Sequence, residues 1–226
     1  METTSDKHFM NKIEVLENAE KAFADHQFQI YYQPQYNYLN RRIVGTEALV
    51  RWIHPQFGIQ PPGGFLRECR ESGVPYVPVS FNVSRHDVYA CDFVERMERI
   101  RKSYGIPVTD LRVEITESAV IGSSDFLIRF VSRLQSLGYT VEMDDFGSGY
   151  SSLNVLKDIE VDIIKLDMIF LRNKIGGRGG IIISSIVRMA NWLGTPVIAE
   201  GVETVEQAEF LKSIGCIYIQ GYLFSK

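Results

Sequence analysis

The sequence contains few cysteines, and their spacing excludes the usual roles of clustered cysteines. Only Cys69, Cys91 and Cys216 are present among 226 residues. They form no CxxC pair and no Cys/His cluster that could hold zinc, and an odd number at wide spacing favours a reducing compartment.

An excess of positive charge and a long apolar run are also absent. Lys and Arg number 24 against 28 Asp and Glu, which gives a net charge of −4. Binding to a nucleic-acid backbone requires a basic excess, so we expect no polymeric nucleic-acid partner. The N-terminal sequence METTSDKHFM lacks the apolar core of a signal peptide, and no apolar run approaches the ~20 residues of a membrane span. We therefore expect a soluble, cytoplasmic protein with no membrane segment in this chain.

Short runs rich in β-branched and aromatic residues alternate with helical patterns along most of the chain, and two of these patterns are GGFLRECRES and HDVYACDFVERMERIRKSY. The candidate strands are residues 29–33, 44–52, 77–83, 111–115, 140–143, 163–166, 196–200 and 218–220. Strands alternating with helices indicate parallel βα units, and eight of them in a domain of this length predict a closed α/β barrel. Only PQYNYLNRRI separates the first two strands, which is too short for a parallel crossover. We therefore predict an antiparallel hairpin at the start of the barrel.

A polar tail and a helix precede the first strand. Ile13, Leu16 and Ala19 recur at helical spacing within residues 13–25, which predicts an amphipathic lead-in helix. We divide the chain into a tail and lead-in helix over residues 1–27 and a barrel domain over residues 28–226.

Six of the eight candidate strands end in a polar residue where an apolar one would be expected, and the second strand adds Glu47. The residues are Glu47, Asn82, Glu114, Asp144, Asp145, Lys165, Glu200 and Gln220. A single such residue is ordinarily a helix N-cap or an acid that faces a loop. Five carboxylates at one barrel mouth are different, because each close pair repels by roughly 4 kcal/mol at an effective dielectric constant of ~20.

The carboxylates predict a divalent cation. Lys165 supplies one positive charge and cannot offset five acids, whereas oxygen ligands suit a hard ion. The adjacent Asp144 and Asp145 allow one carboxylate to bridge two ions, so we expect a pair of Mg²⁺ or Mn²⁺ ions. The following DFGSGYSS segment is either a phosphate cradle or a simple turn, and its place beside the acids favours a functional loop.

Eight ordered sequence blocks resemble the EAL domain, the cyclic di-GMP phosphodiesterase family. The EAL triplet itself is Glu47-Ala48-Leu49 in the context TEALVRW. The other blocks, in chain order, are YYQPQ, FNVS, EITES, DDFGSGYSSL, KLD, AEGVET and QGYLFS. The resemblance extends from about Phe28 to Lys226, and eight blocks with compatible spacing are far more specific than the triplet alone.

The resemblance implies a modified TIM (β/α)8 barrel with an antiparallel first strand. It implies an enzyme that hydrolyses one phosphodiester bond of cyclic di-GMP to give linear pGpG, with two Mg²⁺ or Mn²⁺ ions and inhibition by Ca²⁺. Lys165 and Glu200 resemble the pair that holds and deprotonates the attacking water. The metal ligands implied by motif are Glu47, Asn82, Glu114, Asp144, Asp145 and Glu200.

The resemblance also implies residues that bind the substrate and support the loop. Arg51 is similar to an arginine that contacts phosphate, Gln220 to an amide that orients water, and Glu117 to the acid that anchors the loop. The implied substrate-binding residues are Leu49, Arg51, Asp167, Glu203 and Gln220. The implied loop-supporting residues are Glu117, Phe146, Gly147, Ser148 and Gly149.

One departure from the family pattern concerns the chain after Gly73. A helix-sized stretch that family members carry there is absent, and ESGVPYVPVSFNVS runs straight into the third strand. The stretch is either deleted in this protein or omitted from the chain as given. The second interpretation is favoured, because the helix should cover apolar barrel surface.

Three functions stay open at this point. An active phosphodiesterase is favoured, because every catalytic position is filled. The alternatives are a catalytically silent EAL domain, acting as a cyclic di-GMP receptor or a protein-interaction module, and a different carboxylate-metal barrel enzyme. The family resemblance further implies a homodimer, formed through the loop after the fifth strand, and flanking sensory or cyclase domains in the full protein.

Overall fold

The structure of the chain, a computed structural model, describes residues 28–52, 78–116, 124–147, 156–167 and 177–224. Its strands are β1 (Phe28–Asn37), β2 (Arg42–Trp52), β3 (Val79–Val83), β4 (Leu111–Thr116), β5 (Thr140–Phe146), β6 (Ile163–Asp167), β7 (Val197–Glu200) and β8 (Tyr218–Gln220). Its helices are α1 (Arg85–Tyr89), α2 (Phe93–Ser103), α3 (Ser124–Ser136), α4 (Arg178–Leu193) and α5 (Val205–Ser213), with a 3-10 turn at Val108–Asp110.

The eight strands close into one barrel in sequence order. Strand β1 runs antiparallel to both of its neighbours, β2 and β8, and every other neighbouring pair is parallel. This arrangement confirms the predicted modified TIM barrel and its N-terminal hairpin. Because β2 to β8 all point the same way, their C-terminal ends lie toward one mouth.

The hairpin between β1 and β2 is closed by a turn that the side chain of Asn37 stabilises. Its Oδ1 accepts hydrogen bonds from the backbone N–H groups of Leu39 and Asn40, at 3.0 and 3.3 Å. Arg41 then adopts a left-handed backbone with φ of 55°. An Asx turn of this kind reverses the chain within a few residues, which is why ten residues suffice for the connection.

The hydrophobic core lies between the barrel and its helices. Along β4, Val113 and Ile115 are fully buried in this core together with helix residues such as Leu127 and Leu134 of α3. Successive residues of a strand point to opposite faces, so the intervening Glu114 points into the barrel. Burying each such aliphatic side chain contributes about 1.5–3 kcal/mol, and this layer fixes where the interior polar residues lie.

The helices match the predicted pattern with one difference. The segment HDVYACDFVERMERIRKSY, treated as one helical pattern, forms two helices, because the backbone turns extended at Ala90 after α1 (φ −75°, ψ 118°). Ser84 begins α1 with a capping box. The predicted lead-in helix at 13–25 and the helical pattern GGFLRECRES lie outside the described residues. No helix within the described ranges is long and apolar enough to cross a membrane.

Candidate active site

A buried lysine ammonium lies at the centre of the barrel mouth. Lys165 of β6 has a side chain that is 1% exposed, and its Nζ lies 2.8 Å from both Glu114 Oε1 and Glu200 Oε1. The same atom lies 3.1 Å from Glu47 Oε2 and 3.5 Å from Asp144 Oδ1. Strands β2, β4, β5 and β7 therefore each direct one acid to a single cation. The structure brings together four of the five carboxylates that the sequence predicted at this mouth.

The electrostatics of this cluster follow from burial and from the one ammonium. Burial would lower the pKa of Lys165, but the four carboxylates outweigh it and raise that pKa well above its ordinary value. Burial raises the pKa of Glu114 and of Glu200, although Lys165 opposes the shift in both cases. The two acids are thus harder to ionise than in water, and a further cation nearby would favour their charged forms.

Glu47 differs from the other acids because amide groups hold it. Gln220 Nε2 donates to Glu47 Oε2 at 2.6 Å and to Gln33 Oε1 at 2.9 Å, and Asn82 Nδ2 donates to Glu47 Oε1 at 3.1 Å. Burial alone would raise the pKa of Glu47, but the charge of Lys165 and these hydrogen bonds leave it below its ordinary value. Glu47 is therefore a fixed, ionised carboxylate in a cluster in which Glu114 and Glu200 are harder to ionise.

The adjacent aspartates lie on a bulge at the end of β5. The pairing with β6 shifts register between Met143 and Phe146, and Asp145 has a φ of 56°, a left-handed value that non-glycine residues rarely adopt. The backbone N–H of Asp145 donates to Asp144 Oδ1 at 2.8 Å. Such a backbone costs about 1–3 kcal/mol, and bulges beside functional sites commonly re-aim side chains. Here Asp144 is half-buried and reaches Lys165, while Asp145 is exposed.

The remaining predicted residues are only partly covered by the structure. Phe146 is buried in the core, and Gly147 follows with a φ of 93°. Asp167 is paired in register with Glu200 at the mouth. Leu49 is half-buried on β2, and Glu203 is exposed before α5. Arg51 lies on β2, but its side chain is outside the described set. Glu117, Ser148 and Gly149 lie outside the described residues.

The site also contains polar residues to which the sequence assigned no role. Gln33 accepts from Gln220, and Gln35, Arg112 and Glu142 lie deeper in the barrel. The sequence could have indicated two of them. In LRVE and VEMD a charged residue, Arg112 or Glu142, stands two positions before the acid at the strand end, and residues two apart on a strand share a face.

The donor set fits a hard divalent ion, although its present arrangement is not that of a metal centre. The groups around Lys165 are carboxylates, with the amides of Asn82 and Gln220 beside Glu47, and among the described residues neither oxygen of the buried Glu114 makes a hydrogen bond of regular geometry. Within the described ranges, no group of three or more His, Cys, Asp or Glu side chains is arranged to hold a metal. The ammonium of Lys165 lies between the acids, so a bound ion would require the carboxylates to turn away from it.

Comparison with known proteins agrees with the motifs. The family model described as EAL domain matches residues 16–75 and 66–226. RocR of Pseudomonas aeruginosa, named a cyclic di-GMP phosphodiesterase, is 32% identical over an alignment of 225 positions. The alignment covers 88% of this chain and 57% of RocR. The solved structure of the MucR phosphodiesterase from the same organism, in complex with c-di-GMP, has a TM-score of 0.80 and 28% identity, and the match covers 94% of this chain and 96% of that one.

The alignments also show a difference in length. The full MucR protein, named a bifunctional diguanylate cyclase/cyclic di-GMP phosphodiesterase, is 28% identical over an alignment of 251 positions. The alignment covers 100% of this chain and 36% of MucR. Because this chain has 226 residues, about 25 aligned positions have no residue of this chain opposite them. That is the size of one helix, and the position after Gly73 stays a prediction. The chain spans little more than half of RocR and about a third of MucR.

Proposed function

Because the chain belongs to the EAL domain family, we propose that it is a metal-dependent phosphodiesterase that hydrolyses cyclic di-GMP to linear pGpG. The observation that carries the proposal is the convergence of Glu47, Glu114, Asp144 and Glu200 on Lys165 at the barrel mouth. Each of these residues stands at a position that the family motifs assign to catalysis. RocR and the MucR structure support the substrate class through their names.

The proposed metal ligands are oxygen donors on neighbouring strands. They are Glu47, Asn82, Glu114, Asp144, Asp145 and Glu200. Bound Mg²⁺ or Mn²⁺ would neutralise phosphate oxygens and lower the pKa of a coordinated water. Without such cations, the acids would repel both one another and an anionic phosphodiester. The same donors would accept Ca²⁺ with a looser geometry, so we expect Ca²⁺ to inhibit.

Lys165 and Glu200 supply the proton chemistry in this proposal. Their 2.8 Å contact places an ammonium beside a carboxylate whose pKa is raised, as suits a general base. Glu200 takes a proton from the attacking water, whose oxygen forms a new bond to phosphorus. One phosphorus–oxygen ester bond breaks, and the leaving oxygen takes up a proton from solvent. Lys165 keeps its proton, because the surrounding acids hold its pKa high, and it orients the water as a donor.

Substrate binding is assigned by motif and by position. Leu49, Arg51, Asp167, Glu203 and Gln220 are the proposed contacts. Gln220 has its amide nitrogen engaged by Glu47, while its Oε1 is buried without a hydrogen-bond partner in the described part of the chain. That oxygen is suited to accept a hydrogen bond from water or from the guanine edge. Phe146 and Gly147, with Glu117, Ser148 and Gly149, are the proposed supports of the loop after β5.

A catalytically silent EAL domain is the alternative, and two observations favour it. Among the described residues, the acids close around Lys165 and form no group arranged to hold a metal, and about 25 aligned positions of MucR have no counterpart in this chain. Such a domain would act as a cyclic di-GMP receptor or a protein-interaction module. It would retain the nucleotide without converting it.

One experiment separates these functions. The purified chain is mixed with cyclic di-GMP and Mg²⁺ or Mn²⁺, with and without excess EDTA, and nucleotides are resolved by chromatography. We expect pGpG with metal and none with EDTA. Retention without conversion would establish the silent receptor, turnover in excess EDTA would contradict metal dependence, and neither binding nor turnover would contradict both functions.

The proposal extends to the assembly and the longer protein. We propose a homodimer formed through the loop after β5 and neighbouring helices, which light scattering coupled to size-exclusion chromatography tests. Because the chain covers 57% of RocR and 36% of MucR, flanking sensory or cyclase domains are proposed for the full protein. A cytoplasmic location follows from a nucleotide second messenger as substrate and stays part of the proposal.

A further inference from the structure

A second polar layer lies inside the barrel, one step below the acids at the mouth. On four consecutive strands, the residue two positions before a mouth residue is polar or glycine. Together with Gln35 of β1 these residues form what we call the inner layer: Gln35, Gly45, Ser80, Arg112 and Glu142. Residues two apart on a strand share a face, so the inner layer faces the barrel interior.

Arg112 connects this layer across the barrel. Its Nη1 donates to Glu142 Oε1 at 3.1 Å and to Gln35 Oε1 at 3.2 Å, and its Nη2 donates to the carbonyl oxygen of Val44 at 3.3 Å. Glu142 and Gln35 are fully buried, and the side chain of Arg112 is 15% exposed. The guanidinium therefore bridges β1, β2, β4 and β5 from inside.

The glycine of the inner layer leaves room for this bridge. A Cβ atom on Gly45 would lie 2.3 Å from Gln35 Oε1 and 3.1 Å from Arg112 Nη1. No side chain fits at that distance without displacing both groups. The close approach indicates that Gln35 and Arg112 are held in one arrangement by the backbone of β2.

Glu142 is a buried acid that lies directly beside a proposed metal ligand on the neighbouring strand. It is the partner of Glu114 across β4 and β5, and both side chains are fully buried. Burial is the largest cause of the raised pKa of Glu114, and the charge of Glu142 adds to it. Within the described ranges, Glu142 pairs with Arg112, whereas the ion pairs of Lys165 go to the four mouth acids. The two cations thus serve two separate groups of acids.

We propose that Arg112 is a positioning residue of the phosphodiesterase reaction. Arg112 pairs with Glu142 and keeps that carboxylate out of the Lys165 cluster, and in this way it sets the affinity of the barrel mouth for divalent cations. The inference rests on the proposed function, because it concerns divalent cations at the proposed ligands. Charge determines the direction of the effect on cation affinity. Loss of Arg112 makes the surroundings of Glu114 more negative, and loss of the Glu142 charge makes them less negative.

The test uses two single variants whose effects on metal binding have opposite signs. Arg112→Met should tighten Mn²⁺ binding to the metal-free protein, and Glu142→Gln should weaken it, each by at least about threefold at low ionic strength. Even at the dielectric constant of water, about 80, a unit charge about 10 Å from a divalent ion changes binding by about this much. Calorimetry measures both dissociation constants, and the double variant should return to within about twofold of the parent.

The matched control is an exposed ion pair on the helices. Arg133 and Glu95, whose side chains are 50% and 48% exposed, make the same kind of contact between α3 and α2. Arg133→Met and Glu95→Gln change the net charge identically and should leave the dissociation constant for Mn²⁺ unchanged within twofold. Thermal midpoints of all variants report stability separately.

Any one of five results would overturn the inference. Shifts of the same sign in both variants, or no shift while the thermal midpoint falls, would show that the pair is merely structural. If Arg112→Met does not fold, Glu142→Gln alone decides, since unchanged Mn²⁺ binding in that variant contradicts the proposal. A parent that binds no Mn²⁺ would overturn the proposed function as well. A parent that binds Mn²⁺ and forms pGpG, with unshifted variants, would overturn this inference alone.

Discussion

Removal of the buried ammonium of Lys165 is the perturbation that tests the cluster most severely. Lys165→Met keeps the length of the side chain and removes its charge. In the parent, the oxygens of four acids lie 2.8–3.5 Å from that ammonium, and the variant leaves them without it. Breaking a buried ion pair by removing one partner costs about 3–5 kcal/mol. We therefore expect the free energy of unfolding of the metal-free protein to fall by about 3 kcal/mol or more at pH 8.

The loss should be smaller at lower pH. The pKa values of Glu114 and Glu200 are already raised in the parent, to about 10 and about 8, chiefly by burial. A carboxyl whose pKa is higher in the folded than in the unfolded protein stabilises the folded state most at pH values below its unfolded pKa. This stabilisation is lost as the pH rises through its folded pKa. Removing Lys165 raises both values further, so the folded variant must hold protons on these acids that the unfolded chain has released, and holding them costs more at pH 8 than at pH 5.5. Added Mn²⁺ should recover part of the loss at pH 8, because a cation replaces the ammonium.

Urea denaturation in EDTA at the two pH values, followed by the same titration in Mn²⁺, measures these effects. Lys157→Met is the matched control, because Lys157 makes an exposed pair with Asp158 at 3.7 Å and such pairs contribute about 0–1 kcal/mol. A loss below about 1 kcal/mol for Lys165→Met at both pH values would refute the reasoning. The acids would then not depend on Lys165 for their neutralisation.

Three further predictions concern separate parts of the molecule. Asp144→Ala should weaken Mn²⁺ binding and abolish turnover with little loss of stability, because removing one acid relieves repulsion; unfolding of this variant would make Asp144 a structural residue. Tyr139→Phe removes a 2.7 Å hydrogen bond from the phenol to Glu98 Oε1 and should lower the free energy of unfolding by about 1–2 kcal/mol with unchanged turnover, as urea denaturation would show. Gly221→Ala would place a Cβ 2.3 Å from the carbonyl oxygen of Val202, so its thermal midpoint should fall by several degrees, and a midpoint equal to that of the parent would contradict the close approach.

The fold was largely predictable because local spacing determines it. The ten residues between the first two strands excluded a parallel crossover, and the structure has the antiparallel hairpin. Each predicted strand overlaps an observed one, since runs of apolar residues that are buried on the outer barrel face stand out in the sequence. The break between α1 and α2 was not predicted, because the sequence around Ala90 keeps the helical pattern while the backbone turns extended there.

The sequence could predict that four strand acids converge at one mouth, but it could not predict their distances to Lys165. Polar residues at strand ends must meet at a barrel mouth, which is why Glu47, Glu114, Asp144 and Glu200 could be grouped. By sequence alone, Lys165 is one positive charge that cannot offset five acids, and the closed barrel puts its ammonium within 3.5 Å of four of them. Such a distance depends on side-chain length and strand stagger, which spacing alone does not give.

The inner layer was missed for a different reason. Arg112 and Glu142 lie in mid-strand, where a charged residue is costly unless it has a partner. Their pairing joins residues 30 positions apart and depends on the register of β4 against β5. Alternation along LRVE and VEMD could have indicated that both residues face inward, but it could not have shown that they meet.

The most direct test of the central claim is paired binding and product measurement on Glu200→Gln. Glu200 is proposed to take the proton from the attacking water, a step worth roughly 10²–10⁴-fold in rate. The amide keeps the size of the side chain and cannot accept that proton. At saturating Mn²⁺, the account predicts cyclic di-GMP affinity within a few-fold of the parent by calorimetry, and pGpG formation slower by two orders of magnitude or more. Product formation within a few-fold of the parent would contradict it and transfer the base to another group, with Asp145 the next candidate.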